Sequence, residues 1–303
     1  MNYAPMIKEI GRGAKGARAL PQAEAQALFS DILDGKVPGL ELGAILLALR
    51  IKGEDESELA GFAAALSPRT ARLDPPSGPR CVLLPSYNGA RRQANLMPLV
   101  ARLLAREGIP VLIHGFHDFA ERLDPFALLA EQGIRPAATL AEAGASLARD
   151  RLALVRLEAL NPGLARLLAL RPRLGVRNVG HTLAKLLDPC PGRSVRVVPM
   201  THPEAMSKMA GLLTHERAWA LLMRGTEGEA YALPRRRPRL AGFFAGEERE
   251  LFPAEEADGS REIRAAESNL ANAAWINSLL AGEQPIPQPI LDQVAALAQL
   301  ARA

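Results

Sequence analysis

Cysteine is scarce in this chain, with Cys81 and Cys190 the two among 303 residues. They form no CxxC pair and cannot build a disulfide framework, so a reducing compartment, the cytoplasm, is the expected location. Aromatic residues make up only 4% of the chain, which excludes a long platform of base-stacking side chains. No apolar run approaches the roughly 20 residues of a membrane span, and the opening MNYAPMIKEIGRG lacks the apolar core of a signal peptide. Membrane insertion and secretion are therefore not expected. Against these absences stands a hydrophobic content of 48%, rich in Leu and Ala, which is enough for a large core with much helix.

The first 70 residues predict short helices over 22–33, 40–51 and 55–66, where apolar positions recur at helical spacing. Asp34-Gly35 and Val37-Pro38 separate the first two, and Lys52-Gly53 closes the second with a glycine. Asp55 and Glu58 have the spacing of a capping box for the third. A stiff linker, Pro75-Pro76-Ser77-Gly78-Pro79, then changes the pattern. Beyond it, short apolar runs at 81–84, 111–113, 152–155, 195–198 and 219–223 read as buried strands, with helical stretches such as 95–107 between them. The expectation is a helical domain over 1–72 and an α/β domain with a mainly parallel sheet over 80–303, the former joined by hinge helices from about 160–190. In such a sheet ligands bind beyond the carboxyl ends of the strands. Pro285-Ile286-Pro287-Gln288-Pro289 makes a rigid spacer before a last amphipathic helix, 290–301.

The loops that leave the first two strands read Ser86-Tyr87-Asn88-Gly89-Ala90 and His114-Gly115-Phe116-His117. With the helical opening, with Arg173-Leu174-Gly175-Val176-Arg177-Asn178 and Leu186-Leu187-Asp188-Pro189, and with Thr201-His202-Pro203-Glu204, they resemble the anthranilate phosphoribosyltransferase family. That family belongs to glycosyltransferase family 3 and has the nucleoside phosphorylase fold, so the resemblance implies an all-α N-terminal domain on a larger α/β domain. It also implies motifs that hold phosphoribosyl diphosphate and magnesium, and here they are altered. The family's glycine-rich GTGGD loop falls on 86–90, which keeps one glycine and no acid. Its NxST falls on Asn95-Leu96-Met97-Pro98, which keeps only the Asn. Its KHGNR has Ile113 in place of the lysine and Phe116-His117 at its end. Its magnesium-binding GLDE falls on Gly228-Glu229-Ala230-Tyr231, with Glu227 and Glu229 close by. The degenerate substrate site is thus Asn88, Gly89, Asn95, His114 and Gly115, with no catalytic residue, metal or cofactor assigned. The opening segment 7–18 further resembles the YbiB-type branch of the family. That branch implies a homodimer, joined through the helical domain, that binds DNA and RNA without sequence preference.

The charge pattern fits such a role. The net charge is +4, but residues 151–200 hold nine basic residues against two acids, while residues 245–303 hold four against ten. Arg235, Arg236, Arg237 and Arg239 lie between and beside Pro234 and Pro238, so an extended loop of guanidiniums with little local acid is expected to clamp phosphates, with a solvated surface run as its bland alternative. Arg171, Arg173, Arg177 and Lys185 belong, by the resemblance, to the inter-domain hinge, where they line a groove or serve as structural residues. Arg91 and Arg92 precede a helix start near Asn95, an anion site or merely a surface turn. Arg12, Lys15 and Arg18 stand among glycines on a flexible basic arm or frayed terminus. The GxxxxG spacing of Gly11 and Gly16 is followed by Ala17-Arg18, which excludes a P-loop. His114 and His117 lack a third ligand for zinc, and Trp219 and Trp275 are expected in the core.

The leading reading is a nonspecific DNA- and RNA-binding protein on an inactive scaffold. One alternative is a transferase of altered specificity that uses Asn95, His114, Gly115, Glu227 and Glu229. Another is a regulatory protein whose acidic C-terminal portion binds a protein partner, its basic surface being incidental.

Overall fold

A computed structural model of the chain describes residues 2–13, 15–116, 122–255, 264–265 and 267–303; His117 lies outside them. In chain order the first helices are α1 (Ala4–Ile10), α2 (Gln22–Leu33), α3 (Gly39–Lys52) and α4 (Glu56–Leu66). Next come β1 (Cys81–Ser86), α5 (Met97–Arg106), β2 (Val111–Gly115), α6 (Pro125–Ala130), α7 (Leu140–Asp150) and β3 (Leu152–Arg156). Four short helices follow: α8 (Leu157–Leu160), α9 (Pro162–Leu168), α10 (Arg171–Leu174) and α11 (Gly180–Leu183). The remainder is β4 (Ser194–Met200), α12 (Pro203–His215), β5 (Ala220–Arg224), β6 (Leu240–Phe244), β7 (Glu247–Phe252), α13 (Asn269–Ala281) and α14 (Gln288–Arg302).

The chain divides into two compact units, Met1–Ala71 with Leu157–Pro189, and Arg72–Arg156 with Cys190–Ala303. Residues 157–189, which a continuous second domain would have included, are therefore part of the helical unit. There, Glu58 completes the capping box with Asp55 and so opens α4. Gly53 ends α3 at φ 78°, a left-handed conformation that costs glycine nothing. Helices α2 and α4 touch backbone to backbone, because a Cβ on Gly61 would lie 2.4 Å from the Gln22 carbonyl oxygen. At α9, Gly163 meets the Leu33 carbonyl in the same way, at 2.3 Å. The expected flexible basic arm is not what forms at the N-terminus. Pro5 starts α1, Tyr3 and Ile10 are 6% and 1% exposed, and the Tyr3 hydroxyl donates to Asp31 at 3.1 Å. Two buried apolar side chains outweigh the entropy that the flanking glycines would favour.

The second unit is built on a seven-stranded sheet of order β3-β2-β1-β4-β5-β6-β7. The first five strands run parallel; β6 and β7 are antiparallel additions. Helices α5, α13 and α14 contribute Leu99, Leu104, Ile276, Leu297 and Leu300 to the same buried cluster as Val82, Ile113, Val197 and Leu221 of the sheet. The two antiparallel strands were not expected from the sequence. In β7 the run Glu247-Glu248-Arg249-Glu250 is exposed, so this strand has no apolar alternation to read. Charges along such an edge discourage pairing with another chain. Trp219 and Trp275, expected in the core, are only half-buried. Arg80 lies 3.9 Å above the ring of Trp219, and Arg264 lies 5.1 Å above that of Trp275.

Candidate nucleic-acid interface

The loops that follow β1 and β5 meet at the carboxyl edge of the parallel strands. After β5 the chain makes a tight turn, with Thr226 donating its amide to Tyr231 and Glu229 to Thr226. Gly225 permits it, since a Cβ there would lie 2.4 Å from the Glu229 carbonyl oxygen. Glu227 is left-handed, at φ 52°, a strain of about 1–2 kcal/mol. The turn directs both carboxylates into the loop after β1.

Glu229 is fully buried, and its carboxylate accepts from the Ser86 hydroxyl at 2.6 Å and from the amides of Tyr87, Asn88 and Gly89 at 3.2, 3.0 and 3.1 Å. Convergent amides of this kind form an anion-binding nest, and here a side chain of the protein fills it. Glu227 does the same one step on, accepting from the amides of Arg91, Arg92 and Gln93 at 3.0, 2.9 and 3.3 Å. Asn88 donates to the Glu227 carbonyl and accepts from Arg122 at 2.8 Å. Gly89, at φ 63°, has Arg122 and the Leu123 carbonyl where a Cβ would stand.

This geometry does not suit magnesium. A cation at Glu229 would face four hydrogen-bond donors whose positive ends already point at the carboxylate, whereas magnesium needs oxygen ligands. Among the described residues no three His, Cys, Asp or Glu side chains gather in a way that could hold a metal ion.

The other residues expected at the degenerate substrate site are structural. Asn95 is fully buried; it accepts from the Met97 amide at 3.0 Å, donates to the Leu123 carbonyl at 3.1 Å, and its backbone exchanges hydrogen bonds with Asn272. It thereby ties down the first amide of α5, whose first residues are buried, so the expected anion site at that helix start is not formed. The amides nearest to it, of Arg91 and Arg92, are spent on Glu227, while their side chains are exposed. Gly115 ends β2 in register with Ser86. His114 lies 2.7 Å from the Tyr87 hydroxyl through Nδ1, and burial holds its pKa down to about 3. Burial, with Arg177 next, holds His181 of the helical unit down to about 4.

Both rings are neutral when folded and take up a proton on unfolding in acid. Their contribution is complete above an unfolded pKa near 6.5 and is lost as the pH falls toward about 4 for His181 and about 3 for His114. The urea midpoint should therefore drop between pH 7 and pH 5, at up to about 1.4 kcal/mol per pH unit per histidine. His114→Gln should flatten that dependence, and an unchanged slope would contradict the assignment.

Beside the filled nest lies an open cleft of about 510 Å³, walled by Arg224 at the end of β5 and by the loop to β6. Arg235, Arg236, Arg237 and Arg239 all line it. The loop is not the extended, acid-poor strand that its prolines suggest, because Arg236 turns back to donate its amide to the Leu233 carbonyl. Arg237 pairs with Asp292 at 2.5 Å, lies 3.6 Å from Glu255 and covers the ring of Phe252. Arg239 pairs with Glu250 at 2.6 Å and with Glu248 at 3.0 Å. These acids come from β7, the segment after it and α14, too distant in sequence to be seen from the loop. Arg236 uses its Nε on the Glu255 carbonyl and remains exposed. Arg224 and Arg235 are exposed, and neither forms an ion pair among the described residues. Arg224 was not singled out in the sequence, where it reads as the last residue of a strand.

The remaining basic residues expected to bind phosphate lie in the helical unit. Arg171, Arg177 and Lys185 act together on His181, and Arg173 is exposed on α10. Arg12 pairs with Glu9 at 2.7 Å, while Lys15 and Arg18 are exposed. No helix among the described residues is long and apolar enough to cross a membrane.

Comparison with known proteins agrees with this architecture. Residues 4–67 match the Glycosyl transferase family, helical bundle domain. YbiB of Escherichia coli is 41% identical over 297 residues, covering 97% of this chain and 93% of that protein. The anthranilate phosphoribosyltransferase of Methylobacterium radiotolerans is 27% identical over 294 residues, covering 90% of this chain and 82% of the enzyme. Among solved structures, the Thermus thermophilus anthranilate phosphoribosyltransferase superposes with a TM-score of 0.75 at 23% identity, over 97% of this chain and 87% of that one. The Saccharomyces cerevisiae enzyme, solved with PRPP and Mg, gives 0.74 at 15% identity, over 99% and 90%. A helical bundle unit and a unit with a mostly parallel sheet, in a chain matched over nearly its whole length by YbiB, place this chain in the anthranilate phosphoribosyltransferase-like family of glycosyltransferase family 3.

Proposed function

We propose that the protein binds nucleic acid, DNA or RNA, through its phosphate backbone and without sequence preference, and that it does not transfer phosphoribosyl groups. The observation that carries this reading is the arginine cleft: Arg224, Arg235 and Arg236 present guanidinium donors at the carboxyl edge of the sheet with no carboxylate paired to them among the described residues. Guanidinium forks suit phosphate oxygens, and such contacts carry no base information. The nest that a diphosphate would need is occupied by Glu229, which counts against the transferase reading. Exposed Arg91, Arg92 and Arg173 add to the basic surface.

We further propose a homodimer. On α3, Leu40, Leu47 and Ile51 are 85%, 48% and 66% exposed, and their spacing sets them along one face of the helix. A second copy covering that face would bring two arginine clefts into one particle.

The test is fluorescence anisotropy with two unrelated oligonucleotides over a salt series. Arg224→Ala, Arg235→Ala and Arg236→Ala combined should weaken both equally and make the logarithmic salt slope shallower by about two to three units per protomer. Arg237 and Arg239 are left in place because their acid partners make them part of the fold. An unchanged slope removes the cleft from the binding surface, and loss on one oligonucleotide alone contradicts binding without sequence preference.

A further inference from the structure

Two residues that line the arginine cleft each hold a buried side-chain oxygen that is unspent among the described residues. Thr226 is 4% exposed and Gln93 8%, yet among the described residues neither the Thr226 hydroxyl oxygen nor the Gln93 side-chain carbonyl oxygen has a hydrogen-bond partner. Leaving a buried polar group unpaired is costly, so two on residues of one cleft wall point to a ligand that completes them. The third component of the lining is apolar, supplied by Leu233, Pro238 and Ala254.

Each component constrains the ligand. The guanidiniums of Arg224 and Arg235 call for an anion. Thr226 and Gln93 call for a neutral group that both donates and accepts, because a second anion beside Gln93 would meet Glu227 in the same wall. The apolar side chains call for a flat or weakly polar face. Inorganic phosphate answers only the first demand, and a sugar phosphate only the first two. A volume of about 510 Å³ exceeds what either fills and lies within the usual range for small-ligand sites.

We infer that the cleft is a site for one nucleoside 5′-phosphate unit, its phosphate on Arg224 and Arg235 and its sugar or base edge on Thr226 and Gln93. This rests on the reading of the cleft as an anion site, but it asks for more than charge. The unit can be a free mononucleotide or the unpaired terminal residue of a strand. Paired bases inside a duplex have their Watson–Crick edges already engaged with each other, whereas an unpaired residue has its edge free for such a wall.

The experiment titrates the full chain with adenosine 5′-monophosphate, ribose 5-phosphate and inorganic phosphate by calorimetry, and with 5′-phosphorylated and 5′-hydroxyl single strands by anisotropy. The mononucleotide should bind more tightly than either smaller anion. Thr226→Val and Gln93→Leu should each weaken it by about threefold to tenfold while leaving inorganic phosphate unaffected. Both variants retain the backbone hydrogen bonds at these positions, and a urea midpoint equal to that of the wild type verifies folding. A preference for the phosphorylated strand over the mononucleotide assigns the site to strand ends; the reverse assigns it to free nucleotide. Equal binding of all three small anions, or indifference to both substitutions, overturns the inference. Oligonucleotide binding that survives such a result leaves the broader nucleic-acid reading intact, and its loss in the triple arginine variant tests that reading separately.

Discussion

Glu229→Ala should lower the free energy of unfolding by about 3–5 kcal/mol, read from urea denaturation. The carboxylate holds the Ser86 hydroxyl and three consecutive amides in a site without exposure. Truncation removes the acceptor and leaves four donors behind, each of which loses water on folding and gains nothing in return. Glu229→Gln keeps one acceptor oxygen and should cost less, about 1–3 kcal/mol. The signature that separates this from a mere cavity is rescue by anions. Sulfate or phosphate should restore stability to the Ala variant by mass action while leaving the wild type unchanged, because in the wild type the nest is already filled. A Glu229→Ala protein as stable as its parent would show that the four donors do not depend on the carboxylate.

The second large effect is expected in the helical unit. Lys52, at the end of α3, is 10% exposed and reaches Glu58 at 2.5 Å, and Glu58 is fully buried. Glu58 also accepts from the amides of Asp55 at 2.9 Å and Leu20 at 3.1 Å, so one carboxylate joins the start of α4 to the segment before α2. Lys52→Met strands that charge in the interior and should destabilise the protein by about 3–5 kcal/mol. Lys52→Met combined with Glu58→Gln should recover part of the loss, since the unpaired charge is then gone while acceptors remain for the two amides. If the double variant is no better than Lys52→Met alone, the cost comes from packing rather than from the uncompensated carboxylate.

Much of the fold was legible because local rules and the fold agree. The helices at 22–33 and 56–66, the capping box at Asp55, the Gly53 stop and all five parallel strands follow from apolar spacing and caps that act within a few residues. The β6–β7 extension was not, because Glu247 to Glu250 carry no apolar signal. The candidate site was half legible. The loss of glycines and hydroxyls after β1 can be read directly from Ser86-Tyr87-Asn88-Gly89-Ala90. That Glu229 fills the resulting nest cannot, because it acts across 140 to 143 residues. The same holds for the arginine loop. Counting nearby acids made four free guanidiniums of Arg235, Arg236, Arg237 and Arg239, and partners 9 to 55 residues away take two of them.

The charged edge strand has a consequence for the path of any polyanion. Glu247, Glu248 and Glu250 line up on β7, and Arg239 of the cleft wall is tied to two of them. On the proposed reading, a strand whose phosphate rests on Arg224 and Arg235 would meet carboxylates, themselves paired with Arg239 and Arg249, if it continued across that edge, and guanidiniums unpaired among the described residues on the side of Arg91 and Arg92. On that reading the acids of β7 would act as a guide rail, giving the exit of the chain a direction although its sequence is never read.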